Sequence, residues 1–131
     1  MDFSSFDPAA KADEGADMTV VHPATGEAFK DKDGKPVTIR VRGMESRVIR
    51  EIDREFERRV ARGLEVDRDE KGMKMLVAAT ISWSGVYWEG KPLTCTPENA
   101  RMLYTERDFI GRQVVRFAAR SANFLEGAPT N

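Results

Sequence analysis

Residues 76–103 read LVAATISWSGVYWEGKPLTCTPENARML and hold both tryptophans, the one cysteine and the plainest helix start in the chain. Met73, Leu76, Val77, Thr80 and Ile81 fall at helical spacing, so an apolar helix is expected to run as far as Trp83. Ser84-Gly85 breaks it, because glycine tolerates backbone angles that other residues avoid. Val86-Tyr87-Trp88 is aromatic and reads as extended, and Glu89-Gly90-Lys91-Pro92 as a turn. Thr96-Pro97-Glu98-Asn99 starts the next helix: Thr96 caps free N–H groups, Pro97 fits the first helical position and Glu98 suits the first turn. Two helices are thus joined by a compact aromatic connection.

Downstream, Ala100, Met102, Leu103 and Tyr104 belong to that short helix, and Asp108 is placed to cap the last one. Ile110, Val114, Phe117, Ala118, Ser121 and Phe124 keep three- and four-residue spacing, with Gln113 beside them and Arg112, Arg116 and Arg120 on the wet side. Upstream, Gly72 sets the start of firm helix near Met73, after a charged corner, and Gly63 stops the helix before that. Ser46 is the expected cap of this earlier helix, which runs to about Arg62 with Val48, Ile49, Ile52, Phe56 and Val60 on one face. Its other face carries Arg47, Arg50, Arg54, Arg58, Arg59 and Arg62 interleaved with Glu51, Asp53, Glu55 and Glu57. Residues 36–43 are the best strand, with Val37, Ile39 and Val41 on one side. Residues 18–22 and 27–30 pair around turns at 23–26 and 31–34.

The expected architecture is α+β: a mostly helical single domain over residues 18–125, with a small N-terminal antiparallel hairpin sheet (18–43) and about four helices in a helical region (44–125). Residues 1–17, small and acidic with Pro8 and Gly15, read as a flexible arm, and 126–131 as a C-terminal tail. Phe3 and Phe6 stand out within the arm as side chains able to dock on the body or a partner.

The chain has 131 residues, 40% of them hydrophobic, a formal net charge of -1 and a single cysteine. Its mean hydropathy is -0.51. Bulk charge therefore gives no reason to expect nucleic acid or an anionic membrane. One cysteine excludes an internal disulfide framework and a cysteine-cluster metal site. The opening residues, Met1-Asp2-Phe3-Ser4-Ser5, lack the basic and apolar regions of a signal peptide, and no apolar run has membrane-spanning length.

No catalytic constellation assembles from these residues, so no enzyme activity, cofactor or metal is expected. His22, the one histidine, precedes a proline in a strand and suits a surface or packing role. Cys95 has no histidine near it in sequence, though the helix start just downstream would acidify it slightly. Asp31-Lys32-Asp33-Gly34 hints at a calcium loop, but aligning Gly34 with the loop glycine puts Phe29 and Arg40 at ligand positions. A polar hairpin turn explains it better. The basic stripe of Arg47, Arg50, Arg54, Arg58 and Arg62 suits phosphate contacts, yet acidic neighbours interrupt it and no aromatic stacking set accompanies it. Tyr87, Trp88, Phe124 and Leu125 are the candidate partner-binding side chains.

Several patches together resemble a known family. They are Gly43-Met44-Glu45-Ser46, Trp83-Ser84-Gly85-Val86, Gly90-Lys91-Pro92-Leu93 and Thr96-Pro97-Glu98-Asn99-Ala100, then Gln113-Val114 with Phe117, and Ser121 with Asn123-Phe124-Leu125. Over roughly residues 18–125 this pattern is similar to the tail assembly chaperones of long-tailed bacteriophages. The resemblance implies a non-enzymatic protein of the infected host's bacterial cytoplasm, absent from the mature virion. Such a protein coats the aggregation-prone tape measure protein, helps recruit tail tube protein around it, and self-associates. The alternatives are a structural virion subunit, such as a tail completion or joining protein, and a small nucleic-acid-binding regulator using the arginine face.

Overall fold

In the computed structural model, which describes residues 1–125, the chain forms five α-helices and two small antiparallel sheets. α1 (Pro8–Glu14) leads into β1 (Ala16–Thr19); β2 (Thr38–Val41), α2 (Arg47–Ala61), α3 (Arg68–Ala79) and β3 (Thr80–Ser84) follow. The hairpin strands β4 (Tyr87–Trp88) and β5 (Lys91–Pro92) precede α4 (Pro97–Glu106) and α5 (Asp108–Ala118). This is the mixed α+β domain that the residue pattern implies. The expected tail at 126–131 lies outside the described residues.

The main sheet has the order β1-β2-β3, so β2 is paired on both sides. Ile39 sits opposite Met18 on one neighbour and Trp83 on the other. Ile39 and Val41 are fully buried and Val37 half-buried, as alternation along the strand requires. They pack with Ile49, Leu103, Tyr104 and Val114 from three helices into the core. Gln113 ties α5 to the chain beyond β1: Val21 N–H donates to Oε1 at 3.0 Å, and Nε2 donates to Val21 O at 2.7 Å.

The expected helix through Trp83 does not form. α3 ends at Ala79, and Thr80–Ser84 is instead the third strand of the sheet, so the sheet is not confined to the N-terminal hairpin. The four carbonyls left free at a helix C-terminus need partners, and all four find them. Thr80 Oγ1 donates to Leu76 O at 3.0 Å, and Thr80 N–H caps Val77 O. Arg42 supplies the rest, with Nη1 to Ala78 O at 2.8 Å and its backbone N–H to Ala79 O at 2.7 Å. With every acceptor satisfied, helix passes directly into strand without a loop. A bulge follows: Arg40 faces Ser82 while Val41 faces Thr80, leaving Ile81 as the extra residue.

Residues 1–17 do not form a loose arm. Asp7 caps α1 by accepting from Ala10 N–H at 3.1 Å, Pro8 occupies its first turn, and Ala12 is buried. Gly43 N–H donates to Ala12 O at 3.1 Å. Asp13 accepts from Arg47 N–H at 2.8 Å, so α1 helps cap α2 alongside Ser46, whose Oγ accepts from Ile49 N–H at 3.3 Å. Gly15 (φ +79°) ends α1 where a Cβ would lie 2.6 Å from Ile81 Cδ1 and 2.7 Å from Val41 O. The tight approach and the positive φ both require glycine.

Three smaller expectations also change. α3 starts at Arg68, capped by Asp67, with Gly72 inside it. On α2, Ile49 is buried but Val48 and Val60 are exposed, so the apolar stripe is narrower than its spacing suggests. Asp108 makes no cap on α5; it pairs with Arg112 one turn on. Among the described residues, no helix is long and apolar enough to cross a membrane.

Candidate binding groove

The chain between β1 and β2 makes an excursion that is clamped at its root. Val20 N–H donates to Val37 O at 2.9 Å, Phe29 N–H to Val20 O at 3.0 Å, and Val37 N–H to Phe29 O at 2.8 Å. This holds Phe29 beside the sheet end, 5.8 Å from the His22 ring and 6.1 Å from the Phe109 ring. Opposite stands the β4–β5 hairpin. Its two-residue loop has positive φ at both positions, Glu89 at 50° and Gly90 at 82°, the geometry that suits the twist of a tight hairpin. Leu93 N–H donates to Val86 O at 2.9 Å, and Trp83 Nε1–H to Leu93 O at 2.6 Å, which fastens the hairpin to β3.

Between these walls runs an open groove of about 510 Å³, lined by Val20, Phe29, Val37, Val86, Tyr87, Trp88, Leu103, Phe109 and Ile110. Lys30, Lys32, Asp31 and Arg107 lie along its lining as well. The Arg107 guanidinium sits 4.9 Å from the Trp88 ring centroid, a cation–π contact worth about 0.5–2 kcal/mol depending on exposure. Asp31 turns inward: its Oδ1 accepts from Asp33 N–H at 2.9 Å and Lys35 N–H at 3.0 Å, which makes the 31–34 segment a polar turn. The floor is hydrocarbon and ring surface, and the charge on it is mainly cationic.

Of the four candidate partner side chains, Tyr87 and Trp88 line this groove, with Tyr87 45% exposed and Trp88 half-buried under Arg107. Phe124 and Leu125 do not join them. They flank a small cleft of about 40 Å³ with Pro8, Ala12 and Gly43. Phe124 is buried there, edge-on to Phe117 at 5.6 Å, and its ring lies where a Cβ on Gly43 would fall 3.0 Å away. It is committed to holding α1 and α5 together, so the expectation of a partner contact at Phe124 gives way to a packing role. Phe29, Phe109 and Arg107 are groove residues that sequence reasoning missed. The signal for Phe29 was a lone aromatic in a polar stretch between two turns; Phe109 and Arg107 carried none.

The other chemistry-bearing residues are occupied structurally. His22 Nδ1 accepts from Ala24 N–H at 3.1 Å and Thr25 N–H at 3.3 Å, closing its own turn. Burial pushes the Cys95 thiol up, against the slight acidification expected from the α4 start. Arg58 bonds Glu51 at 2.8 Å and Glu55 at 2.7 Å, and Arg54 bonds Glu51 at 3.4 Å. Hydrogen bonds from Arg58 hold both glutamates below the usual carboxylate range. Arg47 is taken by Asp7 and Asp13. Much of the arginine stripe is therefore an ion-pair lattice rather than a bare cationic track. Among the described residues, no three His, Cys, Asp or Glu side chains come together as a metal site. No family model, curated protein or solved structure matches the chain.

Proposed function

We propose that this chain is a tail assembly chaperone of a long-tailed bacteriophage, acting in the host cytoplasm on the tape measure protein and absent from the finished virion. The observation that carries the reading is the open aromatic groove between Phe29, Tyr87, Trp88 and Phe109, whose surface suits binding. A tape measure protein is a long helical chain with apolar stripes. Helix-in-groove recognition asks of its partner an apolar trough with aromatic anchors. One such groove binds weakly, and many copies along one long client hold it by repeated contact. A coated client stays soluble and presents a regular surface on which tail tube protein assembles. The family resemblance across residues 18–125 supports the same role.

Co-expression with the tape measure protein tests this. The client should become soluble and co-purify with many copies of this chain. Tyr87→Ser removes a half-exposed anchor and should weaken capture about tenfold, as loss of one interface aromatic commonly does. A client that stays aggregated, or is captured equally well by the variant, sinks the proposal. Recovery of this chain from purified particles would instead favour a structural tail subunit.

A further inference from the structure

The first seven residues, MDFSSFD, present an apolar pair that the other described residues leave largely exposed. Phe3 is 72% exposed and Phe6 50%. Residues 3–5 form a 3-10 turn capped by Asp2, whose Oδ1 accepts from Ser4 N–H at 2.9 Å. Phe6 N–H donates to Phe3 O at 3.2 Å. A turn of three residues puts positions i and i+3 on one side, so the two rings share a face before any partner arrives. The segment carries Asp2 and Asp7 and no basic side chain.

The groove has the complementary character. Its walls are aromatic, and Lys30, Lys32 and Arg107 line it without an ion-pair partner among the described residues, while Asp31 is spent on its own turn. The segment of the same chain is held elsewhere. Asp7 and Asp13 fasten it to Arg47 at the start of α2, and the first groove residue, Val20, comes only after α1 and β1.

We infer that the groove is occupied by the N-terminal segment of a second copy of this chain, Phe3 and Phe6 entering between Phe29, Tyr87 and Trp88 with Asp2 facing the cationic rim. Plug and socket are different surfaces, so each copy offers one of each. The exposed parts of the two phenylalanines can bury roughly 200–300 Å² of their own surface. That is small beside stable interfaces, which bury about 1,200–2,000 Å² in total, so the association is weak and concentration-dependent. The self-contact needs no client. Only the corollary that a client helix competes with the plug for the groove rests on the proposed function.

Sedimentation equilibrium on the purified full-length chain over a wide concentration range tests the contact. The natural chain should rise in apparent mass above 14.7 kDa as concentration increases. Phe3→Ser/Phe6→Ser keeps the groove but lacks the plug, and Tyr87→Ser/Lys32→Glu keeps the plug but spoils the groove. Each alone should remain at monomer mass at every concentration. Mixed in equal amounts, they should form a pair of twice the monomer mass and nothing larger, because one intact plug meets one intact socket. A natural chain that stays monomeric throughout overturns the inference. So does unchanged association of the Phe3→Ser/Phe6→Ser chain, or a mixture that stays monomeric. None of these readings involves the client, so failure here and failure of the chaperone role are separable.

Discussion

Tyr104 lies between α3 and α4, only 2% exposed, and its hydroxyl meets Thr80 Oγ1 at 2.6 Å. Thr80 gives its one proton to Leu76 O, so the tyrosine is the donor of the pair. Burial pushes its pKa up to about 12 from an ordinary 10.0, because a phenolate there would lose its water. The sign follows from linkage. With the folded value raised, the stabilisation is fully present below pH 10 and is lost as pH rises from 10 through about 12. The loss amounts to about 2–3 kcal/mol over that window. Tyr104→Phe should be less stable near neutrality by about 1 kcal/mol, the ordinary worth of one hydrogen bond. Its deficit should shrink above pH 10 and vanish near pH 11. Urea midpoints of both chains across this range check it. A deficit independent of pH would mean that Tyr104 ionises as easily folded as unfolded.

Elements set by local chemistry were legible in the sequence, and those set by distant partners were not. Ser46 and Thr96 start their helices as their side chains dictate, and Thr96 Oγ1 accepts from Asn99 N–H at 3.1 Å. The alternation of Val37, Ile39 and Val41 describes β2 correctly because burial on one face imposes it. The end of α3 is different. Neither Ala79 nor Thr80 is a glycine or proline; Thr80 takes two of the last carbonyls, and the other two are taken by Arg42, remote in sequence. The groove was half legible for the same reason: Tyr87 and Trp88 advertise themselves in one aromatic run, whereas Phe29 joins them only through the clamp at Val20 and Val37, and Phe109 comes from α5. Gly72 misled in the other direction. Glycine suggested a helix boundary, yet the residue sits inside α3, and a Cβ built there meets nothing within 4 Å. Its conformational freedom is therefore only a cost. Gly72→Ala should stabilise the protein by about 0.5–1 kcal/mol, read as a higher urea midpoint with unchanged slope. A destabilised variant would mean that the helix relies on glycine at that position.

At the scale of the whole molecule, the N-terminal residues have two separable jobs. Pro8 and Gly15 looked like interruptions of a loose arm, but one opens α1 and the other closes it, and the helix persists because Gly43, Arg47 and Phe124 receive it. A seven-residue helix is too short to stand alone, so nothing in its own composition could announce it. Removing residues 1–14 takes away the Asp13 cap on α2, the Ala12–Gly43 hydrogen bond and the cover over Phe124. The expected cost is about 2–3 kcal/mol, or roughly 10 °C in melting temperature for a domain of this size. Removing residues 1–6 alone should leave the melting temperature unchanged, since Phe3 and Phe6 are exposed and the hydrogen bonds of the 3-10 turn are internal to it. Thermal melts of the two truncations at a concentration where the chain is monomeric therefore divide the segment. If the longer truncation melts like the intact chain, α1 contributes nothing to the fold. If the shorter one already falls, the first six residues are part of the body and are not free to plug a neighbour.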